Sequence, residues 1–326
     1  MRQSPLRIVS NFKDLSEVIA PEDELAHEYV GAGDVLRFIR SCIGADLVLL
    51  DDDQQKLMLA CLLRPLLRFR LVSVDLILRR PKSLKARVGR LLKRALFGQV
   101  DRFLLYFKDT SGYEQLYGIG PDRAVYVPFK VNGWERMALH SAASAGGEYV
   151  LCAGRTLRDV GTFVEAMREA GCPGLLLQQQ PELLSQHGTR PWLGELPANL
   201  QLVVDTSDSL ESFMDFMRGA RLVVIPRFHG DLAATGISTY LVAMALGKCV
   251  IISKGPGAED VLTNQAVIVP PEDAAALAQQ IKLLWHDEPL RESIAAAGRH
   301  YAEQLGGERR FLRDILRASI ENLRKA

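Results

Sequence analysis

Apolar runs of strand length alternate along this chain with longer helical segments, and this alternation constrains the fold more than any other feature. The first half carries such runs at 6–10, 27–32, 45–53, 70–78, 101–107 and 124–129. The second half carries them at 148–155, 174–179, 200–205, 220–226, 248–253 and 266–270. Strands that alternate with helices predict parallel sheets and an α/β fold.

The segment 130–147 interrupts the pattern, because it is rich in small residues and ends in Gly-Gly. It indicates a linker, which gives an N-terminal domain at 1–135 and a C-terminal domain at 136–305. The remaining helical segment, 306–326, is expected to return to the first domain. Two doubly wound domains place a ligand crevice at the carboxyl ends of their strands.

The composition excludes several classes of protein. A formal net charge of +1 argues against a chain that binds polyanions over its whole surface. The five cysteines form no CxxC pair, which predicts buried reduced thiols and a reducing compartment. No apolar run reaches the roughly 18 residues of a spanning helix. We therefore expect a cytoplasmic protein, able to lie against the inner face of the cell membrane.

Three glycine-containing loops follow strands of the second half, at 153–159, 226–239 and 253–260. Gly154 and Gly236 would let the backbone turn tightly and approach a ligand. The helix that starts after Gly236 would direct its free N–H groups at a diphosphate. The Ser238 and Thr239 hydroxyls would add donors, or either would cap the helix.

Two arginines lie just beyond strand ends beside these loops. The guanidinium groups of Arg155 and Arg227 could bind phosphate oxygens through two parallel hydrogen bonds. Each could instead form a surface salt bridge.

The stretch 243–302, "AMALGKCVIISKGPGAEDVL…AVIVPPED…AGRHYA", resembles the C-terminal half of GT-B fold glycosyltransferases. The group concerned is the large retaining one that acts on nucleotide-sugars. Gly154–Arg155, the run "GARLVVIP" and the first-domain segment "YFKDTSGYEQLYGIGPDRAVYVPFKVN" match the same group. The resemblance implies two Rossmann-like domains, an acceptor-binding one followed by a nucleotide-sugar-binding one. It also implies a nucleotide-diphosphate-sugar as co-substrate, with no metal and no further cofactor.

The chain departs from that group at its paired glutamates, which would fall at Ala234 and Val242. A lysine expected after Arg155 falls near Val160. We expect Glu259, with Asp260, to take over contacts to the ribose or the sugar.

Asp75 is the only acid between Gln54 and Val100, at the end of an apolar strand. A carboxylate there could act as general base on an acceptor hydroxyl, or it could pair with nearby arginines. A base would imply inversion at the sugar, whereas the family resemblance implies retention. The neighbouring acids 51–53 are expected to solvate a turn or to cap the next helix.

The segment 79–98 combines many cations with a helical apolar face formed by Leu84, Val88, Leu91, Leu92 and Leu96. Such a helix can lie on an anionic membrane surface, or it can pack its apolar face on the sheet. Nucleic acid is not expected as a partner, because no aromatic residues interleave the cations.

These features together predict a metal-independent glycosyltransferase of polysaccharide biosynthesis. It would move a sugar from a nucleotide-diphosphate-sugar to a hydroxyl of a lipid-linked or polysaccharide acceptor. The alternatives are a non-catalytic protein of the same fold that binds a nucleotide-sugar or glycan, and a nucleotide-sugar epimerase.

Overall fold

The computed structural model of the protein describes residues 5–31, 33–138, 148–207, 209–230 and 232–321. The chain forms two compact units, Met1–Pro128 with Arg309–Ala326, and Phe129–Glu308. The sequence places the corresponding boundaries at 135/136 and 305/306, a few residues away from these divisions.

Unit 1 is a parallel sheet with helices on its faces. Its elements are β1 (Leu6–Ser10), β2 (Leu25–Tyr29), α1 (Val35–Cys42), β3 (Leu47–Asp51), α2 (Gln54–Leu67), β4 (Arg70–Val74), α3 (Leu84–Phe97), β5 (Arg102–Leu105), α4 (Ser111–Tyr117), β6 (Ala124–Tyr126) and α12 (Glu308–Ile320), whose residues from Arg309 onward belong to this unit. The strand order is β2-β1-β3-β4-β5-β6. The direction of winding therefore reverses between β1 and β3.

Unit 2 repeats this architecture. Its elements are α5 (Trp134–Ala138), β7 (Tyr149–Cys152), α6 (Val160–Ala170), β8 (Gly174–Gln179), α7 (Pro181–Gln186), β9 (Leu200–Asp205), α8 (Leu210–Gly219), β10 (Ala220–Ile225), α9 (Ile237–Ala245), β11 (Cys249–Ser253), β12 (Val267–Val269), α10 (Ala274–His286) and α11 (Glu288–Leu305). The strand order is β12-β11-β10-β7-β8-β9. The winding reverses between β7 and β10, where a crevice opens in sheets of this kind.

The central strands are continuous apolar runs because helices cover both faces of a parallel sheet. The four residues Leu47–Leu50 of β3 and the five residues of β11 are all buried. All five cysteines are free and buried, as predicted from their apolar surroundings. Burial raises the pKa of the Cys152 thiol to about 12, so it stays protonated and unreactive.

Several helices begin with a capping side chain that accepts a backbone N–H. Asp53 accepts the N–H of Lys56 at the start of α2, which confirms for this one residue the capping role predicted for the acids 51–53. Asp159 and Ser83 cap α6 and α3 in the same way. These caps fix where each helix leaves the carboxyl edge of its sheet.

Two local expectations need correction. The short second strand predicted at 27–32 is formed by Leu25–Tyr29 instead. The predicted linker 130–147 contains the helix α5, and its residues 139–147 lie outside the described residues.

The segment α12 packs within unit 1, where the ring of Phe311 lies 5.8 Å from that of Tyr106 between centroids. No helix in the described part of the chain is long and apolar enough to cross a membrane.

The structure decides between the two arrangements left open for α3. Its apolar face does not pack on the sheet: Leu84 is 78% exposed, and Val88, Leu91 and Leu92 are each more than half exposed. Only Phe97, in the last turn, is buried. The packing alternative is therefore wrong for most of this helix.

Candidate functional site

The loops after β7 and β10 meet at the point where the winding of the unit 2 sheet reverses. β7 and β10 are neighbouring parallel strands, so their carboxyl ends lie side by side. Backbone atoms of Arg158 and Arg227 form an antiparallel bridge between the two loops. The residues predicted around Gly154 and Gly236 are thus brought to one edge of the sheet.

The helix α9 begins at this edge without a capping side chain, because its N-cap residue is Gly236. Gly236 has φ +92°, and a Cβ atom on it would lie 2.8 Å from Cγ2 of Ile225. The N–H groups of the first turn have no partner within a helix. They form a ready site for an anion such as a diphosphate.

Thr235, the residue before this turn, adds a second polar group. Its side chain is buried, and its Oγ1 has no hydrogen-bond partner among the described residues. A buried hydroxyl without a hydrogen-bond partner lowers the stability of the folded protein.

Arg158 connects the elements of the site through its buried side chain, a role that was not predicted from the sequence. Its side chain is buried, at 3% exposure. Its guanidinium donates to the carbonyls of Ala153 (3.2 Å) and Thr156 (2.7 Å) and to Oγ1 of Thr239 (3.1 Å). It therefore ties the loop after β7 to the first turn of α9.

Gly154 is required by this contact. It has φ +105°, and a Cβ atom on it would lie 2.6 Å from Nη2 of Arg158. The absence of a side chain at Gly154 therefore allows the Arg158 guanidinium to pack against the backbone. The positive φ of Gly154 gives the tight turn that was predicted from the sequence.

Arg155 is the exposed arginine of this loop. Its carbonyl accepts a hydrogen bond from Oγ1 of Thr189, 2.6 Å away. Since Thr189 Oγ1 also accepts the N–H of Arg158, the backbone on both sides of the Arg155 side chain is fixed. Contact between the Arg155 guanidinium and a phosphate stays a prediction.

Arg227 occupies a different environment from the one expected of a phosphate ligand. It is 1% exposed, and it donates to the carbonyls of Pro256 (2.9 Å) and Ala233 (3.0 Å). It therefore supports the loop before α9 and the glycine-rich loop after β11. Direct contact with phosphate stays a prediction.

The hydroxyls of Ser238 and Thr239 are both engaged. Oγ of Ser238 accepts from Nδ2 of Asn132 at 2.8 Å, and Oγ1 of Thr239 accepts from Arg158. A hydroxyl that accepts a bond keeps its own proton for donation, so both groups retain a donor.

The glycine-rich loop after β11 borders the same region. Asp260 accepts the N–H of Gly257 at 2.7 Å, and Tyr240 donates its hydroxyl to the carbonyl of Gly257. Glu259 forms an ion pair with Lys254 at 2.9 Å, which raises the pKa of Lys254. Contact between Glu259 and a ribose or sugar stays a prediction.

The two positions at which the resembling group carries glutamates differ in environment. Val242 is completely buried within α9. Ala234 is half-buried. A Cβ atom on Gly257 would lie 2.7 Å from the Cβ atom of Ala234. The glycine-rich loop therefore approaches Ala234 closely.

In unit 1, Asp75 lies at the carboxyl edge of its sheet, directly after β4. Asp52 follows the neighbouring strand β3, and both residues have left-handed backbone, with φ +45° and +39°. Burial, together with the charges of Asp51 and Asp52, raises the pKa of Asp75 well above its ordinary value. Burial also raises the pKa of Asp52.

The loop after Asp75 is held by two tyrosines of α4. The hydroxyl of Tyr113 donates to the carbonyl of Leu76 (2.6 Å) and accepts the N–H of Leu78 (3.0 Å). Tyr117 donates to the carbonyl of Arg79 at 2.6 Å. A carboxyl group with a raised pKa on a fixed loop is a candidate for general acid–base chemistry.

Within the described ranges, no group of three His, Cys, Asp or Glu side chains could hold a metal ion. Metal independence stays a prediction.

Comparison with known proteins supports this reading of unit 2. Residues 197–301 match the family model described as glycosyl transferases group 1. The matched segment includes Gly236, α9 and the glycine-rich loop. No curated protein matches the chain.

Solved structures match over nearly the whole chain. A glycosyltransferase from Rickettsia africae has a TM-score of 0.64 at 14% identity, covering 99% of this chain and 100% of its own. HepE of Anabaena, solved in complex with UDP, has a TM-score of 0.64 at 15% identity, with coverages of 98% and 92%. Sucrose-phosphate synthase from Thermosynechococcus elongatus has a TM-score of 0.64 at 16% identity, with coverages of 98% and 89%.

These identities are low, so the likeness defines the fold. The chain has the α/β architecture of GT-B glycosyltransferases, with two Rossmann-like units. The resemblance predicted from the sequence is confirmed.

Proposed function

We propose that the chain transfers a sugar from a nucleotide-diphosphate-sugar to a hydroxyl of a lipid-linked or polysaccharide acceptor. The observation that carries the proposal is the uncapped start of α9 at the winding reversal of unit 2, inside the segment that matches the group 1 glycosyl transferases. The solved structures of HepE with UDP and with UDP-glucose support a donor of this class.

In this proposal the first-turn amides of α9 and the Arg155 guanidinium hold the donor diphosphate. Negative charge builds up on the leaving diphosphate as the bond to the sugar breaks, and fixed donors stabilise it. Arg158 and Arg227 keep the surrounding loops in place. Asp75 takes the proton of the acceptor hydroxyl.

The exposed apolar residues of α3 support a membrane-bound acceptor and a cytoplasmic protein that lies on an anionic membrane through 79–98. Lys93 Nζ donates to Oε1 of Gln54, the first residue of α2, at 2.6 Å. Residues 84–92 of α3 precede this contact along the helix. The helix α3 follows the loop that leaves the carboxyl end of β4 at Asp75, so its first residues, Leu84 and Val88 among them, lie towards that edge of the sheet.

The test is nucleotide binding and turnover by the full chain. We expect UDP or GDP to bind in calorimetric titration, and Arg155→Ala to weaken the affinity about tenfold to a hundredfold through loss of a charge-assisted bond. Arg168→Ala, which removes an exposed arginine paired with Glu165, should leave the affinity unchanged. Absence of binding by every nucleoside diphosphate would contradict the proposal.

A second candidate function is a non-catalytic protein that binds a nucleotide-sugar or glycan. The apolar residues Ala234 and Val242 favour it, because the carboxylates that handle ribose and sugar in the resembling group are absent. Slow hydrolysis of a nucleotide-sugar by the wild-type chain separates the two functions. Binding without any hydrolysis or transfer would favour the second.

A further inference from the structure

Among the described residues, Thr235 carries the one buried hydroxyl that has no hydrogen-bond partner. The residue is 4% exposed. Other buried hydroxyls of unit 2 are engaged: Thr239 and Thr189 bond to Arg158 or to a carbonyl, and Ser253 accepts the N–H of Arg227. Buried polar groups in folded proteins are nearly always satisfied, so the exception at Thr235 requires a physical reason.

The unpartnered hydroxyl lowers the stability of the free protein, because it has left water without gaining a hydrogen bond. A valine side chain has nearly the same shape and would fill the same space without this cost. The hydroxyl of Thr235 is therefore useful only in a state in which a partner reaches it.

The position of Thr235 indicates where that partner would lie. Thr235 directly precedes Gly236, the N-cap residue of α9, and the helix of nine residues that follows has no capping side chain. Successive Cα atoms are about 3.8 Å apart, so the hydroxyl lies beside the first-turn amides. Ala234 and Gly236 are both half-buried, so the backbone on each side of Thr235 is open to a ligand.

The chemistry of the surrounding groups indicates what kind of ligand would supply the partner. The first-turn N–H groups of α9 are donors, and the hydroxyls of Ser238 and Thr239 keep their protons for donation. The guanidinium of Arg158 adds a positive charge 3.1 Å from Oγ1 of Thr239. Ala234 and Val242 contribute no carboxylate. A set of donors with a positive charge matches a phosphate group, which offers acceptor oxygens and negative charge.

We propose that the hydroxyl of Thr235 donates its proton to an oxygen of the donor diphosphate, beside the first-turn amides of α9. The hydrogen bond forms only in the complex, so the group that destabilises the free chain stabilises the bound nucleotide. The choice of a diphosphate rests on the proposed function given above. The unpartnered hydroxyl at the start of α9 does not depend on that choice.

The test compares Thr235→Val with wild type in two measurements on the full chain. In calorimetric titration with UDP or GDP, we expect the variant to bind about tenfold more weakly, through loss of one hydrogen bond to a charged group. In thermal unfolding without nucleotide, we expect its Tm to rise by about 2 °C, because an unsatisfied buried group has been removed. A purely structural role would lower both the affinity and the Tm.

Three further variants separate the hydroxyl from the rest of the side chain. Thr235→Ser keeps the hydroxyl, and its affinity should stay within about threefold of wild type. Thr235→Ala removes the hydroxyl and leaves a small void, so it tests the same loss of affinity if the valine variant does not fold. Ser319→Ala is the control: it removes a buried hydroxyl of α12 that donates to the carbonyl of Ile315, and it should leave the affinity unchanged.

Inorganic pyrophosphate identifies the part of the nucleotide that Thr235 contacts. We expect pyrophosphate to compete with the nucleoside diphosphate, and Thr235→Val to weaken both by a similar factor. Failure of pyrophosphate to compete, or equal pyrophosphate affinity in wild type and variant, would overturn the assignment to the diphosphate.

The remaining outcomes separate this inference from the proposed function. Equal nucleotide affinity in wild type and Thr235→Val, with weaker binding by Arg155→Ala, would overturn the role of Thr235 alone. Equal losses in Thr235→Val and Thr235→Ser would assign the effect to packing and overturn it too. A lower Tm for Thr235→Val would show that the hydroxyl has a partner in the free protein, against the proposal. Absence of nucleotide binding by wild type would contradict the proposed function and this inference together.

Discussion

At the scale of single residues, buried arginines shape the candidate donor site. Arg158 and Arg227 both donate to backbone carbonyls, and neither is exposed. Charged groups in this position cannot be lost without leaving their acceptors unsatisfied. Their contribution to binding is therefore indirect, through the loops that they hold.

This role predicts the effect of Arg158→Met. The change leaves the carbonyls of Ala153 and Thr156 and the hydroxyl of Thr239 without a donor, so we expect unfolding to be easier by about 2–5 kcal/mol. Thermal unfolding would show it as a lower Tm, together with weaker nucleotide binding. Arg168→Met, which breaks an exposed pair, should cost about 0.5 kcal/mol or less. Equal Tm values for the two variants would contradict the role of Arg158.

Asp75 predicts a pH dependence with a definite sign. Its raised pKa means that the folded chain keeps a proton that the unfolded chain loses near pH 4. Stability from this group is present below pH 4 and is lost as pH rises through the raised pKa. Activity that needs the carboxylate should rise over the same range.

We therefore expect Asp75→Asn to be more stable than wild type at neutral pH, with the difference shrinking towards pH 4. Transfer activity should fall by about a hundredfold to ten-thousandfold, the contribution of a general base. Denaturant unfolding at several pH values, with a pH–rate profile of the wild type, checks both. An active Asp75→Asn variant would exclude it as the base.

At the scale of secondary-structure elements, the start of α9 places strict requirements on backbone conformation and on space. Its position depends on Gly236 in the left-handed region and on the narrow space beside Ile225. Several other helices begin with Asp or Ser caps, which need no such backbone. The helix start that is proposed to bind the diphosphate is therefore sensitive to a single added methyl group.

We expect Gly236→Ala to reduce stability by about 1–3 kcal/mol, since it combines a left-handed alanine with crowding against Ile225. Nucleoside diphosphate affinity should fall because the first-turn amides shift. Gly89→Ala is the control: it lies within α3, has open space around its Cβ position, and should gain about 0.5–1 kcal/mol. Calorimetric titration and thermal unfolding of both variants provide the measurements.

The helix α3 shows what a sequence pattern can and cannot give. The spacing of its leucines predicts an amphipathic helix, and the helix is there. The same spacing fits a helix that packs on a sheet, so exposure had to come from the structure.

At the scale of the whole molecule, the alternation of strands and helices predicted two parallel α/β sheets. Gly154, Arg155 and Gly236 were placed correctly at one sheet edge, because parallel strands end on the same side. The burial of the arginine side chains could not be predicted from the sequence. An arginine after a strand has the same sequence context whether its side chain contacts a ligand, as predicted for Arg227, or donates to backbone carbonyls. The role of Arg158 was missed for the same reason.

The complete burial of Val242 has a consequence for how such a chain could change over generations. Introducing a glutamate at this position alone would place an unpaired carboxylate in the buried part of α9, at a cost that exceeds most single substitutions. A glutamate could therefore be accommodated at this position only if neighbouring positions changed first. Lineages that carry the valine should keep an apolar residue there, whatever sugar they handle.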